Sequence, residues 1–282
     1  MRKKAKLKRH TIEVDGYNIV YLESTHDNNA QTLMLVHGFN EEKDAWLLLA
    51  DALKEKYHLI IIDQLGSGES DLPMDFDYSL RNQANFLQKV IEKLTLEKDI
   101  SSYHLAGQSQ GGGLAILLAD KLPIDKLILI DNMGVHVERS QIQLDSLGKK
   151  IEDLPFLNLT DRAQFKALMQ DAFYKPPYIP NFMLDHFVAK QNDRLALVKK
   201  KFRAIATDDM FHADDLTEEV KNIKQKTLIV WGREDKGIHV ASAYKQKELI
   251  VNSKLIVYDN CGHSVHSENP KELAKDISTF LN

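Results

Sequence analysis

A serine between small residues lies where the sequence pattern changes from strand to helix. Gly107-Gln108-Ser109-Gln110-Gly111 has the G-x-S-x-G spacing, which projects a hydroxyl from a sharp turn above a sheet edge. The turn strains the serine backbone, and the glycines on either side leave the room that it needs. The helix that follows aims free N–H groups at developing negative charge. The two glycine-rich phosphate-binding patterns do not occur in this sequence, so we interpret Ser109 as a nucleophile.

A serine hydroxyl needs a general base, and His263 has the position expected of one. It follows the last predicted strand, at the sheet edge predicted for Ser109, and comes late in the chain as the order serine, acid, histidine requires. An acidic partner must hold the histidine tautomer and stabilise the imidazolium. Asp235, after the next-to-last predicted strand, is our first assignment by position, while Asp131 and Glu234 stay open as alternatives.

Short apolar runs alternate with segments of helical period, and this rhythm predicts the sheet that positions these residues. A hairpin is predicted at 11–24 around Asp15-Gly16. The predicted core strands are 32–36, 59–62, 103–106, 127–130, 227–231 and 255–258. Strands that alternate with helices pair in parallel through right-handed crossovers, which predicts an α/β sheet covered on both faces.

The alternation breaks between about Met133 and Asn222, where helical stretches and a group of prolines replace it. Inserted segments of this length are often functional lids. We therefore expect a core domain made of 1–132 and 223–282, with a helical cap at 133–222 over the strand ends. Aromatic side chains of the cap favour an uncharged or weakly polar acyl substrate, because ligand sites are concave and mainly apolar.

Composition excludes several classes of protein. The chain has 282 residues, with 37 Lys and Arg against 41 Asp and Glu and a net charge of −4, which gives no electrostatic footprint for nucleic acid. Its single cysteine excludes an intrachain disulfide and a cysteine-based metal site, and suits the cytoplasm. No apolar run approaches the roughly 18 residues of a membrane span, so we expect no stable membrane insertion. Residues 1–10 are basic without a following apolar region, which predicts a solvated tail rather than a secretory signal.

Four motifs in chain order resemble those of the α/β-hydrolase superfamily, in its lidded, carboxylesterase-like branch. They are His37-Gly38-Phe39, the D-x-x-G-x-G-x-S loop at 63–70, the turn around Ser109, and the GH-x-x-H-x-E-x-P segment at 262–270. The resemblance runs from about residue 30 to the C-terminus, the cap excepted. It implies a mostly parallel eight-stranded sheet with helices on both faces and an inserted helical cap.

The resemblance also implies a chemistry. The backbone N–H groups of Phe39 and Gln110 would form the oxyanion hole, and Ser109, His263 and Asp235 would cleave a small carboxylic ester or related acyl compound through an acyl-enzyme. Neither a metal nor an organic cofactor is implied; the partner is a small-molecule acyl substrate, and the oligomeric state is left open. The alternatives on the same fold are a carbon–carbon bond hydrolase of dienoate-type diketones, a cofactor-free peroxidase or acyltransferase, and a slow-turnover ligand receptor.

Overall fold

One eight-stranded sheet organises the residues that the computed structural model describes, which are 1–25, 30–206 and 214–282. The strands are β1 Leu7–Val14, β2 Tyr17–Ser24, β3 Gln31–Val36, β4 Tyr57–Ile62, β5 Tyr103–Gln108, β6 Ile124–Ile130, β7 Lys226–Gly232 and β8 Ser253–Tyr258. Their order in the sheet is β1-β2-β4-β3-β5-β6-β7-β8. β1 and β2 pair antiparallel, as do β2 and β4, and all other pairs are parallel. The predicted mostly parallel eight-stranded sheet is confirmed.

Helices cover both faces of the sheet. They are α1 Leu47–Leu53, α2 Leu80–Glu97, α3 Gln110–Leu118, α4 Gln141–Ser146, α5 Arg162–Ala172, α6 Asn181–Asp193, α7 Leu195–Ile205, α8 Thr217–Lys221, α9 Ala241–Leu249, α10 Val265–Glu268 and α11 Pro270–Leu281. Pro270 opens α11 as expected, because a proline at the first helical position loses no hydrogen bond. Within the described ranges, no helix combines the length and the apolar character needed to cross a membrane.

The core consists of two apolar layers, one on each face of the sheet. Successive strand residues point to opposite faces, so Leu33 and Leu35 of β3 pack with α1 and α11. Met34 and Val36 pack with α2 and α3 on the other side. All four side chains are fully buried. A sheet covered on both faces therefore needs continuous apolar strands, and these are the runs visible in the sequence.

The N-terminus corrects one expectation, because the predicted solvated tail is wrong. Leu7 begins an eight-residue pairing of β1 with β2, and Leu7, Ile12 and Val14 are buried. Arg2 forms ion pairs with Asp44 at 2.6 Å and with a second carboxylate. Lys8 and Arg9 are exposed on this edge strand, and Lys3, Lys4 and Lys6 are exposed in the turns before it. These basic residues concealed the weaker apolar alternation in the sequence.

The segment between β6 and β7 carries α4 to α8 and packs on the core in two ways. At its ends, Met133 and Leu216 join the core layer beside α3. In its middle, Leu154, Leu157 and Val198 belong to a separate small apolar cluster. Phe39 packs against both this cluster and the core layer. This arrangement suits an inserted cap, and we propose the division into a core of 1–132 and 223–282 and a cap of 133–222 on that basis.

Candidate active site

Ser109 occupies the sharp turn between β5 and α3 in a strained backbone conformation. Its φ is +51° and its ψ is −119°, a region that residues with a side chain rarely adopt. Hydrogen bonds hold the turn in place. The Ser109 N–H donates to the Ile130 carbonyl at 2.9 Å, and the Ser109 carbonyl accepts from the N–H groups of Gly112 and Met133 at 3.0 and 3.1 Å. The surrounding main chain therefore fixes the direction of the hydroxyl.

The glycines that flank Ser109 allow main-chain segments to approach each other closely. A Cβ atom on Gly107 would lie 2.2 Å from the carbonyl oxygen of Gly111, and one on Gly111 would lie 2.3 Å from the carbonyl oxygen of Val36. Both contacts are with backbone, which cannot move aside as a flexible side chain can. The turn thus requires glycine at both positions.

We expect Gly107→Val and Gly111→Val to lower both thermal stability and activity, with a stability cost of about 3 kcal/mol or more because the added side chain collides with backbone. Thermal unfolding and ester turnover measure the two effects. Gly148→Val is the control, since its Cβ position has no atom within 4 Å and only its positive φ adds strain. If Gly107→Val and Gly111→Val both keep the wild-type unfolding temperature and turnover, the close approach of main-chain segments at this turn is contradicted.

Hydrogen bonds connect Ser109, His263 and Asp235 in a continuous chain. The Nε2 atom of His263 lies 2.9 Å from the Ser109 Oγ, and its Nδ1 lies 2.8 Å from the Asp235 Oδ2. The other Asp235 oxygen accepts from the N–H groups of Gly237 and Ile238 at 2.7 and 2.9 Å. With Nδ1 protonated and donating to the carboxylate, Nε2 is free to accept the hydroxyl proton.

The two alternative acids bind main-chain groups instead. Asp131 accepts from the N–H of Gly232 at 2.8 Å and, more weakly, from that of Val265 at 3.4 Å. Glu234 accepts from the N–H of Cys261 at 2.9 Å. Neither carboxylate hydrogen-bonds the His263 ring. Both tie together the loops that carry Asp235 and His263.

The environment of His263 favours its protonated form. Burial acts to lower the pKa of His263, but the charge of Asp235 and its hydrogen bond outweigh burial, with smaller contributions from Asp131 and Glu41, and raise the pKa to about 9. Burial and the nearby Asp235 raise the pKa of Asp131 well above its ordinary range. The arrangement stabilises an imidazolium, the species that forms when a histidine takes a proton from serine.

This raised pKa predicts how activity varies with pH. A general base must be neutral, so kcat/KM should rise with pH, about tenfold per unit, and level off near pH 9. Asp235→Asn removes the charge that raises the pKa of His263, so the remaining activity should level off at a lower pH. Initial rates on a neutral ester between about pH 6 and pH 10 test both statements. A flat profile in the wild-type protein over this range would contradict the raised pKa of His263.

Two backbone N–H groups beside Ser109 have no partner in the part of the chain that the structure describes. They belong to Phe39 and Gln110, and both residues line the same cavity as Ser109. The Gln110 side chain is buried and donates to the Oε1 of Gln83 at 3.1 Å, so it packs in the core rather than at the hydroxyl. Unpaired main-chain donors next to a serine hydroxyl are the groups that could hold an oxyanion.

The histidine loop is attached to the end of α5 and to the segment that follows it. The His263 N–H donates to the Ala172 carbonyl at 2.9 Å. Glu268 accepts from the N–H of Gly262 at 2.7 Å through one oxygen and from that of Tyr174 at 2.9 Å through the other. The sequence motif contained Glu268, but the motif gives no sign of its partners around residue 174, which lie some 90 positions away in the chain.

Two cavities meet at this site. The smaller has a volume of about 190 Å³ and is lined by Ser109, Gln110 and His263 among mostly apolar side chains. The larger, of about 460 Å³, is lined by His263 and by both apolar and charged residues of α5, α6 and α7. Phe39 and Phe156 belong to both walls. Across the described residues, no group of three or more His, Cys, Asp and Glu side chains is placed to hold a metal ion.

Comparison with known proteins agrees with this architecture. Residues 31–270 match the family described as alpha/beta hydrolase fold, and the chain belongs to that family. It is 32% identical over 268 residues to Lipase 3 of Moraxella sp. (strain TA144), covering 94% of this chain and 81% of that lipase. It is 26% identical to monoacylglycerol lipase ABHD6 of Bos taurus, covering 95% and 80% of the two chains.

A solved structure extends the likeness to three dimensions. A bacterial membrane phospholipase A superposes with a TM-score of 0.89 at 29% identity, over 99% of this chain and 87% of that one. The family match, this likeness and the similarity to lipases show that the chain is an enzyme, a hydrolase of the ester-hydrolase type.

Proposed function

We propose that the protein hydrolyses carboxylic esters with Ser109 as nucleophile, His263 as general base and acid, and Asp235 as the residue that orients His263. The proposal rests on one observation. A continuous run of hydrogen bonds leads from a buried carboxylate to a serine hydroxyl, and that hydroxyl faces a cavity whose wall carries two unpaired main-chain donors. This is the set of groups that acyl transfer to serine needs.

In the first half of the reaction, the Ser109 hydroxyl attacks the ester carbonyl while its proton moves to Nε2 of His263. The carbonyl oxygen becomes an oxyanion, which the N–H groups of Phe39 and Gln110 stabilise; loss of one such donor costs about 3–4 kcal/mol in comparable enzymes. The imidazolium then gives its proton to the alkoxide that leaves, and the acyl group stays on Ser109.

In the second half, water replaces the alcohol. His263 takes a proton from the water, whose oxygen attacks the acyl-enzyme carbonyl, and the same donors hold the second oxyanion. When this intermediate collapses, the proton passes to the Ser109 oxygen and the free acid leaves. Asp235 keeps its charge throughout and stabilises the imidazolium in both halves.

The substrate we propose is an ester with an apolar acyl chain. Apolar side chains dominate the smaller cavity, where Ser109 and the oxyanion donors lie, so the acyl chain has an apolar wall to bury against. The relatives named lipase are consistent with an ester of this kind. The single, buried cysteine, Cys261, supports a cytoplasmic setting.

A panel of p-nitrophenyl esters of graded acyl length, together with monoacylglycerols of the same lengths, tests this function. We expect steady turnover with a preferred chain length, and stoichiometric labelling by a fluorophosphonate probe. Substituting Phe156 or Phe202, which line the smaller cavity, should shift the preferred length more than it changes the rate on acetate esters. A folded protein that neither turns over any of these esters nor reacts with the probe would overturn the proposal.

A further inference from the structure

The charged residues that line the larger cavity are not balanced. Glu42 is neutralised by Lys190 at 2.6 Å. Glu41 accepts the Gly38 N–H at 3.1 Å, and burial raises its pKa, which disfavours its negative charge. Arg194 also lines this cavity, and no carboxylate of the described chain lies within ion-pairing distance of its guanidinium. Among the described residues, the cavity therefore contains a cation without a counter-charge.

A second basic side chain lies within electrostatic reach of Arg194. Lys201 is buried and donates to the Gly66 carbonyl at 2.9 Å and to the Ser67 Oγ at 2.7 Å, and both of those residues line the larger cavity. Burial lowers the pKa of Lys201 to about 7; the positive charge of Arg194 adds to that effect, and the carboxylate of Asp63 opposes it. Because the effect of Arg194 on Lys201 exceeds that of Asp63, the balance of charge at this end of the cavity attracts an anion.

The position of His263 indicates which half of an ester each cavity receives. Ser109 and Gln110 line only the smaller cavity, whereas His263 lines both. The group that leaves must receive its proton from His263, so it lies within reach of the His263 ring. Because the smaller cavity is the proposed site of the acyl chain and the larger one also reaches His263, we assign the alcohol part of the ester to the larger cavity.

We propose that Arg194 binds an anionic group, phosphate or carboxylate, on the alcohol part of the substrate, so that the enzyme prefers esters of anionic alcohols to their neutral counterparts. This assignment rests on the proposed ester hydrolysis for the meaning of the alcohol part. A guanidinium suits either anion because its planar donors match two oxygens at once.

Binding of ether analogues tests the assignment without any need for turnover. The probes are a 1-O-alkylglycerol, its 3-phosphate, its 3-O-carboxymethyl derivative, and an alkylglycerol whose carboxylate is at the far end of the alkyl chain. Calorimetry with the wild-type protein should give a lower Kd for the first two anions than for the neutral ether, on the order of 10- to 100-fold. The probe with the distant carboxylate should gain nothing over the neutral ether.

Variants identify the residue responsible. Arg194→Gln should remove most of the preference for the anion, while Arg194→Lys should keep part of it because the charge remains and the two-oxygen geometry is lost. Arg162→Gln is the matched control, since Arg162 is exposed on α5 and already paired with Asp185 at 2.5 Å. Binding of the neutral ether to each variant reports an intact cavity.

Two results would overturn the proposal: a wild-type protein with no preference for the anionic ethers, or a preference that Arg194→Gln leaves unchanged. Equal gain from a carboxylate at either end of the probe would overturn the assignment to the alcohol part. A preference for phosphate over carboxylate, or the reverse, identifies the anion. Failure of the ester panel, by contrast, would overturn the hydrolytic function and leave the measured Kd values to decide the anion site by themselves.

Discussion

Replacing Ser109 with alanine is expected to abolish labelling by a fluorophosphonate probe and to lower kcat on esters by on the order of 10⁶. The hydroxyl is the only nucleophile within hydrogen-bond distance of His263 Nε2 in the described residues, and alanine leaves nothing to carry the acyl group. The variant should fold normally, because the turn is held by main-chain hydrogen bonds that alanine keeps.

Gel labelling and steady-state rates, both with the wild-type protein alongside, measure the loss. Ser102→Ala is the control, an exposed serine before β5 that should label and turn over as the wild type does. Probe attachment to the Ser109→Ala protein at a single site would assign the nucleophile to another residue.

Asp235→Asn should leave the fold intact and lower kcat by on the order of 10⁴, the loss seen when a triad histidine is held in the wrong tautomer. An asparagine amide can donate to Nδ1, which would place the proton on Nε2 and block its role as base. The 2.8 Å contact between Asp235 and His263 is the structural reason for the expectation.

Asp131→Asn supplies the comparison. Its carboxylate accepts from the Gly232 N–H and makes no hydrogen bond to the His263 ring. Its replacement should therefore lower thermal stability and reduce kcat much less than Asp235→Asn does. Crystal structures of both variants would show whether the histidine ring has turned. A larger kcat loss in Asp131→Asn than in Asp235→Asn would reverse the assignment of the acid.

The sheet was predictable because each core strand leaves a local signal in the sequence, a short run of apolar residues. A strand covered on both faces must be apolar throughout, and all six core strands were found, each one to three residues shorter at one or both ends than the strand in the structure. The hairpin was marked by Asp15 and Gly16, whose φ values of +52° and +82° fit a tight turn of the kind that joins twisted strands. Steric need for glycine likewise marked the turn at Ser109.

The segment between β6 and β7 was harder to predict. Helix α6 buries only Leu184 and Gln191, so it has no apolar stripe that would predict it, and a proline immediately precedes it. Helix α4 has a local signal for its start, a capping box in which the side chains of Ser140 and Gln143 each accept from the other residue's backbone N–H.

Contacts between distant parts of the chain were beyond prediction. The position of Asp235 favoured it over Asp131, yet both lie on the same sheet edge, and only the three-dimensional arrangement shows which carboxylate meets the histidine ring. The charge of Arg194 was equally beyond prediction. The sequence around a single arginine does not indicate whether its side chain lies in a cavity or beside a carboxylate. Such features depend on pairings that sequence periodicity does not encode.

The attachment of the histidine loop to the segment 172–175 makes the alignment of His263 depend on the position of that segment. Raising that segment breaks the bond from the His263 N–H to the Ala172 carbonyl and the bridge that Glu268 makes to Tyr174. A molecule opened at this edge has therefore lost part of the support that aligns its imidazole with Ser109. The direction of the His263 ring thus depends on main-chain contacts made by residues some 90 positions earlier in the chain.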